Sequence, residues 1–314
     1  MGSLKEIYPG IKEGFTLPLK NLEGAGVVTF GKIFFVDSVN GSDNNSGTSP
    51  AAAKATADAA IGLVTANKGD IIYLLPKHAE TVTATSVALD VAGTRIIGLG
   101  EGLNRPTFTF GAAAATITVS AANCSWEGCH FIANFADVAA AFTLAAAKDF
   151  RLQNNTFADA GADLNYFNII VTGATANAAD GLKVLGNYWV NIDANAKALV
   201  SILEACDRLE VSDNFVDTGA TANAAQLITL STFKCLGVKV FRNSLILLTT
   251  GTTVGMLITG SNTSCTGSVE FNFVQSLNTT AELLDTATLD FGHRENYHSG
   301  VIAKSGYLLP AADA

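Results

Sequence analysis

The sequence predicts an all-β fold, a single-stranded parallel β-helix whose N-terminal end is covered by a capping helix. Three observations predict it. A segment returns with a period of about 29 residues, apolar and polar residues alternate within it, and an Asn stands at the same place in each copy. Internal periods of this size are typical of solenoids, and alternation favours strands over amphipathic helices.

The repeat is apolar, any residue, apolar, two spacers, Asn, any residue, apolar. Its five copies cover residues 150–157, 182–189, 209–216, 238–245 and 267–274. The repeated Asn residues are Asn155, Asn187, Asn214, Asn243 and Asn272, which are 32, 27, 29 and 29 residues apart. Asn tolerates the left-handed region and bonds local backbone, and coils lie about 4.8 Å apart. We therefore expect these side chains to stack as a ladder at one bend.

A second ladder is expected from the small residues that precede the Asn. Ala147, Cys206 and Cys235 lie eight residues before the Asn of their copy, and Cys265 lies seven before. Cys129 takes the Asn position of an earlier coil. The spacings fit neither a zinc site nor a redox pair, so the cysteines are interpreted as buried free thiols.

Along the chain, the sequence divides into four segments. Residues 1–30 are predicted to be an N-terminal attachment arm, 31–68 a strand plus the capping helix, 69–290 the β-helix, and 291–314 a C-terminal tail, because the pattern stops after Leu289. Strands are predicted at 32–37 and 71–76, and the helix at 55–66. A helix across the open end of a β-helix hides unpaired strand edges and a bare core.

The arm is too apolar for a purely solvated leader, so we expect it to bind a partner. Its candidate contact residues are Tyr8, Ile11, Phe15, Leu17 and Leu19. The rest of the chain excludes other partners: the formal charge is -9, which disfavours nucleic acid, and no apolar run is long enough for a membrane span. No secretory signal is visible either.

The segment from Lys32 to Gly100 resembles a known family. It contains Gly41-x-Asp43-x-x-x-Gly47-x-Ser49, then the helix, then Gly69-Asp70-x-Ile72-x-Leu74-x-Pro76. This order is similar to the N-terminal part of pectate-lyase-like right-handed β-helix proteins, in particular bacteriophage virion proteins. The resemblance implies a right-handed β-helix but no activity, since this fold serves lyases, hydrolases and inert structural proteins.

Catalytic chemistry has few candidates in the sequence. The nearest carboxylate pairs are Asp213 with Asp217 and Asp159 with Asp163, each at a turn where Asp is ordinary. The resemblance implies that lyases of this fold use calcium held by several acids and an Arg or Lys base, and no such acid cluster is visible.

Other residue types also point to structure rather than to a site. The residues considered are Arg151, Arg208, Arg242, His130, His293, His298, His78, Trp126 and Trp189. The arginines stand at different places in the repeat, so they should not form one site. The histidines lack metal-ligand spacing, with His78 taken as a surface residue, and both Trp fall on apolar repeat positions. Outward positions are expected not to converge on acids, bases or aromatics, and we expect no cofactor or metal.

We therefore expect a non-enzymatic phage virion protein, most consistent with a capsid decoration or stabilising protein located in the virion and made in the host cytoplasm. Its expected partners are two further copies, which form a homotrimer through neutral Thr and Ala faces, and the major capsid protein or another virion protein. The alternative is a tailspike or tail-fibre protein that binds or cleaves a host surface polysaccharide. A secreted bacterial polysaccharide lyase is a third, disfavoured hypothesis.

Overall fold

The structure, a computed structural model, describes the core of the chain. The described residues are 31–84, 86–192, 196–218, 226–230, 233–247, 258–260, 264–276, 290–299 and 306–307. They belong to one compact unit, Gly31–Ala314. The predicted arm at 1–30, with its contact residues Tyr8, Ile11, Phe15, Leu17 and Leu19, lies outside the described residues, as does most of the segment after Ser299.

The prediction of an all-β parallel β-helix is confirmed. Parallel sheets form a β-solenoid with a period of about 28 residues and almost no helix. From Ile71 to Ser276, successive strands of the chain go to sheets A, B and C in turn, so each complete coil of that segment adds one strand to each sheet. Within a sheet every strand pairs in parallel with its equivalent in the next coil, except for an antiparallel pair at the end of sheet B.

Sheet A has ten strands. In spatial order they are Ile33–Val36 (β1), Ile71–Leu74 (β2), Arg95–Gly98 (β5), Ser125–Glu127 (β8), Arg151–Gln153 (β11), Lys183–Leu185 (β14), Glu210–Ser212 (β17), Val238–Phe241 (β20), Thr266–Glu270 (β23) and Asp290–Arg294 (β25).

Sheet B also has ten strands. They are Ala79–Val82 (β3), Thr107–Phe110 (β6), His130–Ala133 (β9), Thr156–Asp159 (β12), Tyr188–Asn191 (β15), Phe215–Thr218 (β18), Ser244–Leu247 (β21), Phe273–Ser276 (β24), Tyr297–Ser299 (β26) and Gly306–Tyr307 (β27).

Sheet C has seven strands. They are Ala88–Leu89 (β4), Ile117–Val119 (β7), Val138–Leu144 (β10), Tyr166–Thr172 (β13), Ala198–Ile202 (β16), Gln226–Leu230 (β19) and Ile258–Thr259 (β22).

The capping helix is shorter than predicted. It covers only Ala57–Ile61 (α1), not 55–66, with two short 3₁₀ turns elsewhere at Pro50–Ala52 and Gly102–Asn104. Thr56 caps its N-terminus, because the Thr56 hydroxyl accepts the Ala59 N–H at 3.3 Å. Gly62 ends it and the β-branched Val64 and Thr65 follow, which disfavours continuation. No helix among the described residues combines the length and apolar character needed to cross a membrane.

Both ends of the predicted β-helix extend further than the repeat pattern indicated. At the N-terminal end, β1 pairs in register with β2 and so begins sheet A itself. At the C-terminal end, β25 and β26 continue sheets A and B, so the prediction that the pattern stops after Leu289 is wrong. The repeat is disguised there because His293 and His298 occupy its apolar positions around Asn296.

Aromatic residues fill the core of the first coils. Phe131 stacks on Phe157 with ring centroids 4.9 Å apart, and Trp126 packs edge-on against Phe108. Trp126 and Trp189 are fully buried, which confirms that both pack inside the solenoid. Interior side chains at equivalent positions therefore stack from coil to coil. Residues that could carry a function must be sought on the outer faces and in the bends.

Candidate functional site

The Asn residues of the repeat lie in one buried stack at the bend from sheet A to sheet B. From Asn155 to Asn296, each Nδ2 donates to the next Oδ1 at 2.9–3.2 Å. The same Oδ1 accepts the backbone N–H of the preceding Asn at 2.9–3.0 Å. Asn296 was missed in the sequence. It is the sixth member, 24 residues after Asn272.

The predicted ladder and the bond to local backbone are confirmed, the latter for example by Asn214 Nδ2, which donates to Ser212 O at 2.9 Å, but the left-handed conformation expected of the Asn is wrong. The left-handed residue is the one before each Asn, as at Asn154 (φ 55°), Asp213 (φ 58°) and Arg242 (φ 54°). The Asn is selected for its side chain, which also donates to a backbone carbonyl of the previous coil, for example Asn214 Nδ2 to Val184 O at 2.8 Å. The ladder is therefore architecture, because all of its polar atoms are satisfied internally.

The cysteines form a second internal stack. The backbone N–H of Cys206 donates to Cys235 Sγ at 3.4 Å, and that of Cys235 to Cys265 Sγ at 3.2 Å. Ala147 is fully buried at the equivalent position. All five cysteines are free and buried, and burial raises the pKa of the Cys129 and Cys235 thiols to about 12. These thiols are chemically quiet packing groups.

In each acidic pair, one carboxylate is bound to a partner outside the pair. Asp213 binds Arg242 in a two-point contact at 2.6 and 2.7 Å, and this bond lowers the pKa of the Asp213 carboxyl. Asp159 Oδ2 accepts the Asn191 side-chain amide at 2.9 Å and the Ile192 N–H at 3.0 Å, whereas Asp163 is exposed in the next bend. Both carboxylates act as local anchors.

The three arginines near the repeat stand at three different places. Arg151 points outward from β11, Arg208 lies in the bend before β17 with Asp149 at 3.9 Å, and Arg242 lies in the bend after β20. Within the described residues, no three His, Cys, Asp or Glu side chains are arranged to hold a metal ion.

His78 is buried, so its interpretation as a surface residue is wrong. Its Nδ1 accepts the Ser38 N–H at 3.1 Å, which places the proton on Nε2, 3.2 Å from Glu80 Oε2. Glu80 Oε2 also accepts the Ala57 N–H at 2.9 Å. His78 thus joins the first strand, α1 and sheet B at the capped end, and its residue spacing gave no sign of this because its partners are distant in sequence.

A basic groove crosses the outer face of sheet A. It has a volume of about 430 Å³, and its cations are Arg95, Arg151 and Lys183. The strand register aligns Arg95, Ser125, Arg151 and Lys183 in one column. Lys183 binds Glu210 at 2.9 Å and Arg95 lies 3.5 Å from Glu127, while Arg151 is exposed. The groove can offer cationic and amide donors to an anionic ligand.

A second groove, of about 400 Å³, lies on sheet B beside the fully exposed Leu103. His130 Nδ1 bonds Thr156 Oγ1 at 2.6 Å. Burial and then the Arg105 charge lower the pKa of His130, which keeps the imidazole neutral near pH 7. This groove is therefore mostly apolar, with one cation, Arg105, at its edge.

Aromatic side chains converge on the same outer column of sheet B, contrary to the expectation for outward positions. The register aligns Thr156, Tyr188, Phe215, Ser244, Phe273 and Tyr297. Tyr188 and Phe215 stack at 5.1 Å with an interplanar angle of 17°. The sequence contained a sign of this aromatic column, because the residue that follows the repeated Asn is aromatic in four of the six copies.

Comparisons with known proteins find similarity only among solved structures. No family model matches it, and no curated protein matches it. Among solved structures it is similar to a rhamnogalacturonan lyase, with 13% identity over 87% of this chain and 90% of that chain and a TM-score of 0.37. It is also similar to a GH136 lacto-N-biosidase from Eubacterium ramulus, with 9% identity over 90% and 70% and a TM-score of 0.23. Likeness at this level carries no argument about activity.

Proposed function

We propose that the chain is a non-enzymatic structural protein of a phage virion, a trimeric decoration or stabilising protein that is attached through its N-terminal arm. The observation that supports it best is the distribution of charge on the outer faces of the rod that the stacked coils form. Sheet C contains no Asp, Glu, Lys, Arg or His in any of its described strands. The exception on its outer face is Lys197, which directly precedes β16 and lies with its Nζ 4.5 Å from the centroid of the Phe167 ring. The rest of the face can be buried against another molecule without desolvating an ion.

The internal ladders support the same proposal. Asn side chains bond one another from coil to coil, and the backbone N–H of Cys235 donates to Cys265 Sγ in the next coil, so these interior bonds tie successive coils together. The phage assignment itself rests on the resemblance of the segment from Lys32 to Gly100. The attachment role of the arm rests on the apolar residues Tyr8, Phe15 and Leu17.

Deletion of residues 1–20 tests the attachment. Particles that lack the protein would be incubated with full-length or truncated chain and sedimented. We expect the truncated chain to stay in the supernatant while its circular dichroism spectrum matches that of the full-length chain. A matched variant with Tyr8→Ser and Phe15→Ser should lose most binding. Undiminished binding of both variants would remove the arm from the proposal.

The basic groove favours a second candidate function, binding of an acidic host polysaccharide as a tailspike or tail-fibre protein does. The column Arg95, Arg151, Lys183 would face carboxylates or sulfates spaced along a glycan. Of these cations, Arg151 is exposed and has the most freedom to bind a ligand.

Binding of polygalacturonate, with neutral dextran as the comparison, tests this second candidate. Arg151→Ser should weaken polygalacturonate binding at least about tenfold if a charge-assisted contact is lost. Lys239→Ser is the matched control, since Lys239 stands exposed in the same outward column but outside the groove. Equal effects of both substitutions would indicate only nonspecific charge attraction. Turnover of a glycan would overturn the non-enzymatic assignment.

A further inference from the structure

The three outer faces of the rod differ sharply in charge. The outward positions of sheet A carry eight ionisable groups: Arg95, Glu127, Arg151, Lys183, Glu210, Lys239, Glu270 and Arg294. Burying such a face would desolvate several ions, each at a cost of several kcal/mol unless it is paired with good geometry. Sheet A is therefore the face best left in water.

Sheet B presents an apolar outer face. One outward column carries the aromatic residues, and the neighbouring column carries Ile132, Ala158, Val190, Asp217 and Ile246. Asp217 is the only formal charge in these two columns over the described strands β9 to β21, since His130 is neutral near pH 7. Tyr188 and Tyr297 remain 41% and 43% exposed, so this face has apolar surface still to bury.

Sheet C presents a column of small neutral residues on its outer face, beside Phe167 with the Lys197 ammonium 4.5 Å from its ring centroid. Its outward column contains Thr118, Thr143, Val171, Ser201 and Thr229, all half-buried. Small side chains of similar length allow a second sheet to approach closely, and sheets that pack face to face lie about 10 Å apart. Large aromatic side chains from a facing surface can fill the space above such a column.

We infer that sheet B of one chain packs against sheet C of the next copy, in a closed head-to-tail ring of three that leaves sheet A in solvent. The inference rests on the trimer proposed above and assigns its contact faces. A contact that joins two different surfaces closes into a ring when the rotation between copies allows it. A symmetric contact of B with B, or of C with C, would cover one of the two faces with few charges and leave the other in water.

The available area is sufficient for a stable assembly. At about 4.8 Å per strand and 3.3 Å per residue, the outer faces of sheets B and C together measure on the order of 900 Å². A standard interface takes about 800 Å² from each partner. In the ring, each contact takes only about 450 Å² from each partner, which alone falls short of that size. Every copy makes two contacts, however, so a copy can leave the ring only by exposing about 900 Å² of its own surface.

The ring also fixes which residues meet. A three-fold axis parallel to the rod relates copies at the same height, so a coil faces the same coil of its neighbour. Val190 on sheet B and Ser201 on sheet C belong to one coil, and both are half-buried outward residues. Val190 of one copy should therefore lie near Ser201 of the next.

Site-directed crosslinking tests this pairing. Val190→Cys and Ser201→Cys chains, one with a size tag, are co-expressed and treated with a short bis-maleimide. Leu185→Cys is the matched control, because it is a half-buried outward residue of the same coil on sheet A. All five native cysteines are buried, so the wild-type chain should give no crosslinked product.

We expect crosslinked pairs that contain one tagged and one untagged chain, at up to about one interface in four in a random mixture. Either variant alone should stay uncrosslinked, and Leu185→Cys should crosslink with neither. Self-crosslinking of Val190→Cys or Ser201→Cys, or crosslinking through Leu185→Cys, would overturn the assignment of faces. A trimer by light scattering with no mixed product would also overturn it, while a monomeric mass would overturn the proposed trimer itself.

Discussion

The side-chain amide of Asn214 donates to Oδ1 of Asn243 at 3.0 Å, and the backbone N–H of Asn214 donates to the same oxygen at 3.0 Å. The Oδ1 atom of Asn243 thus accepts two hydrogen bonds from the neighbouring coil. The same arrangement recurs between each pair of neighbours from Asn155 to Asn296. Loss of one member should therefore be felt in the coils on both sides.

Asn214→Ala should be strongly destabilising. It leaves the backbone N–H and the side-chain amide of Asn187 without the oxygen that accepts from both, inside the rod. Each buried unsatisfied group costs about 1–3 kcal/mol, so we expect a loss of at least about 2 kcal/mol in urea denaturation. Asn134→Ala is the control, since Asn134 is exposed in a bend and should change stability by less than about 0.5 kcal/mol. Equal losses in both variants would contradict the ladder.

The native thiols should be almost unreactive. With pKa values of about 12 at Cys129 and Cys235, the thiolate fraction at pH 8 is about one in 10⁴. We expect a disulfide reagent to label fewer than one thiol per folded chain within minutes, and all five after denaturation. Rapid labelling of two or more thiols in the folded chain would show that this stack is open to solvent.

Gly98→Ala should destabilise the coil that contains Cys129. An added Cβ would lie 2.5 Å from the Gly128 carbonyl oxygen and 2.9 Å from Cys129 Sγ. Overpacking of this kind costs about 1–3 kcal/mol. Gly62→Ala is the matched control, because Gly62 has an ordinary helical φ of −61° and no contact closer than 3.7 Å. It should be neutral or stabilise by about 0.4–1 kcal/mol, and a reversed order in thermal melts would contradict the packing.

The Asp213–Arg242 ion pair should add pH-dependent stability. The Arg242 bond lowers the pKa of Asp213 below its ordinary 3.8, so the contribution is present above pH 3.8 and is lost as pH falls through the lower folded value. Asp213→Asn should therefore lower the melting temperature slightly at pH 7 and make no difference near pH 2. Both side chains are about half exposed, so 1 M salt should shrink the effect at pH 7. An effect that persists at pH 2 would point to packing instead.

The repeat sufficed to predict the fold, because its apolar residues and its Asn are the residues that form the interior of the β-helix. Groups of residues that come together only through the register between coils were harder to predict. Arg95 and Lys183 align only after Ser125 and Arg151 are placed between them, across separations of 26 to 32 residues. Columns built from such distant residues follow from coil lengths, which vary here from 24 to 32 residues.

The remaining differences between prediction and structure arise where individual residues depart from the usual pattern. His293 and His298 hid the last coil because the pattern requires apolar residues at their positions. His78 looked like a strand-end surface residue because its partner Ser38 is 40 residues away and belongs to the first coil. The predicted helix was too long because an Ala-rich segment has high intrinsic helix propensity. The bends of the capped end set the actual length of the helix.

The mass of the chain in solution tests the central claim most directly, since both the proposed role and the assignment of faces depend on self-association through the two sheets with few charges. Multi-angle light scattering at micromolar concentration should return three times the 32.5 kDa of one chain, with the value unchanged in 0.5 M salt because few charges lie on the contact faces. A mass of 32.5 kDa under these conditions would contradict the account.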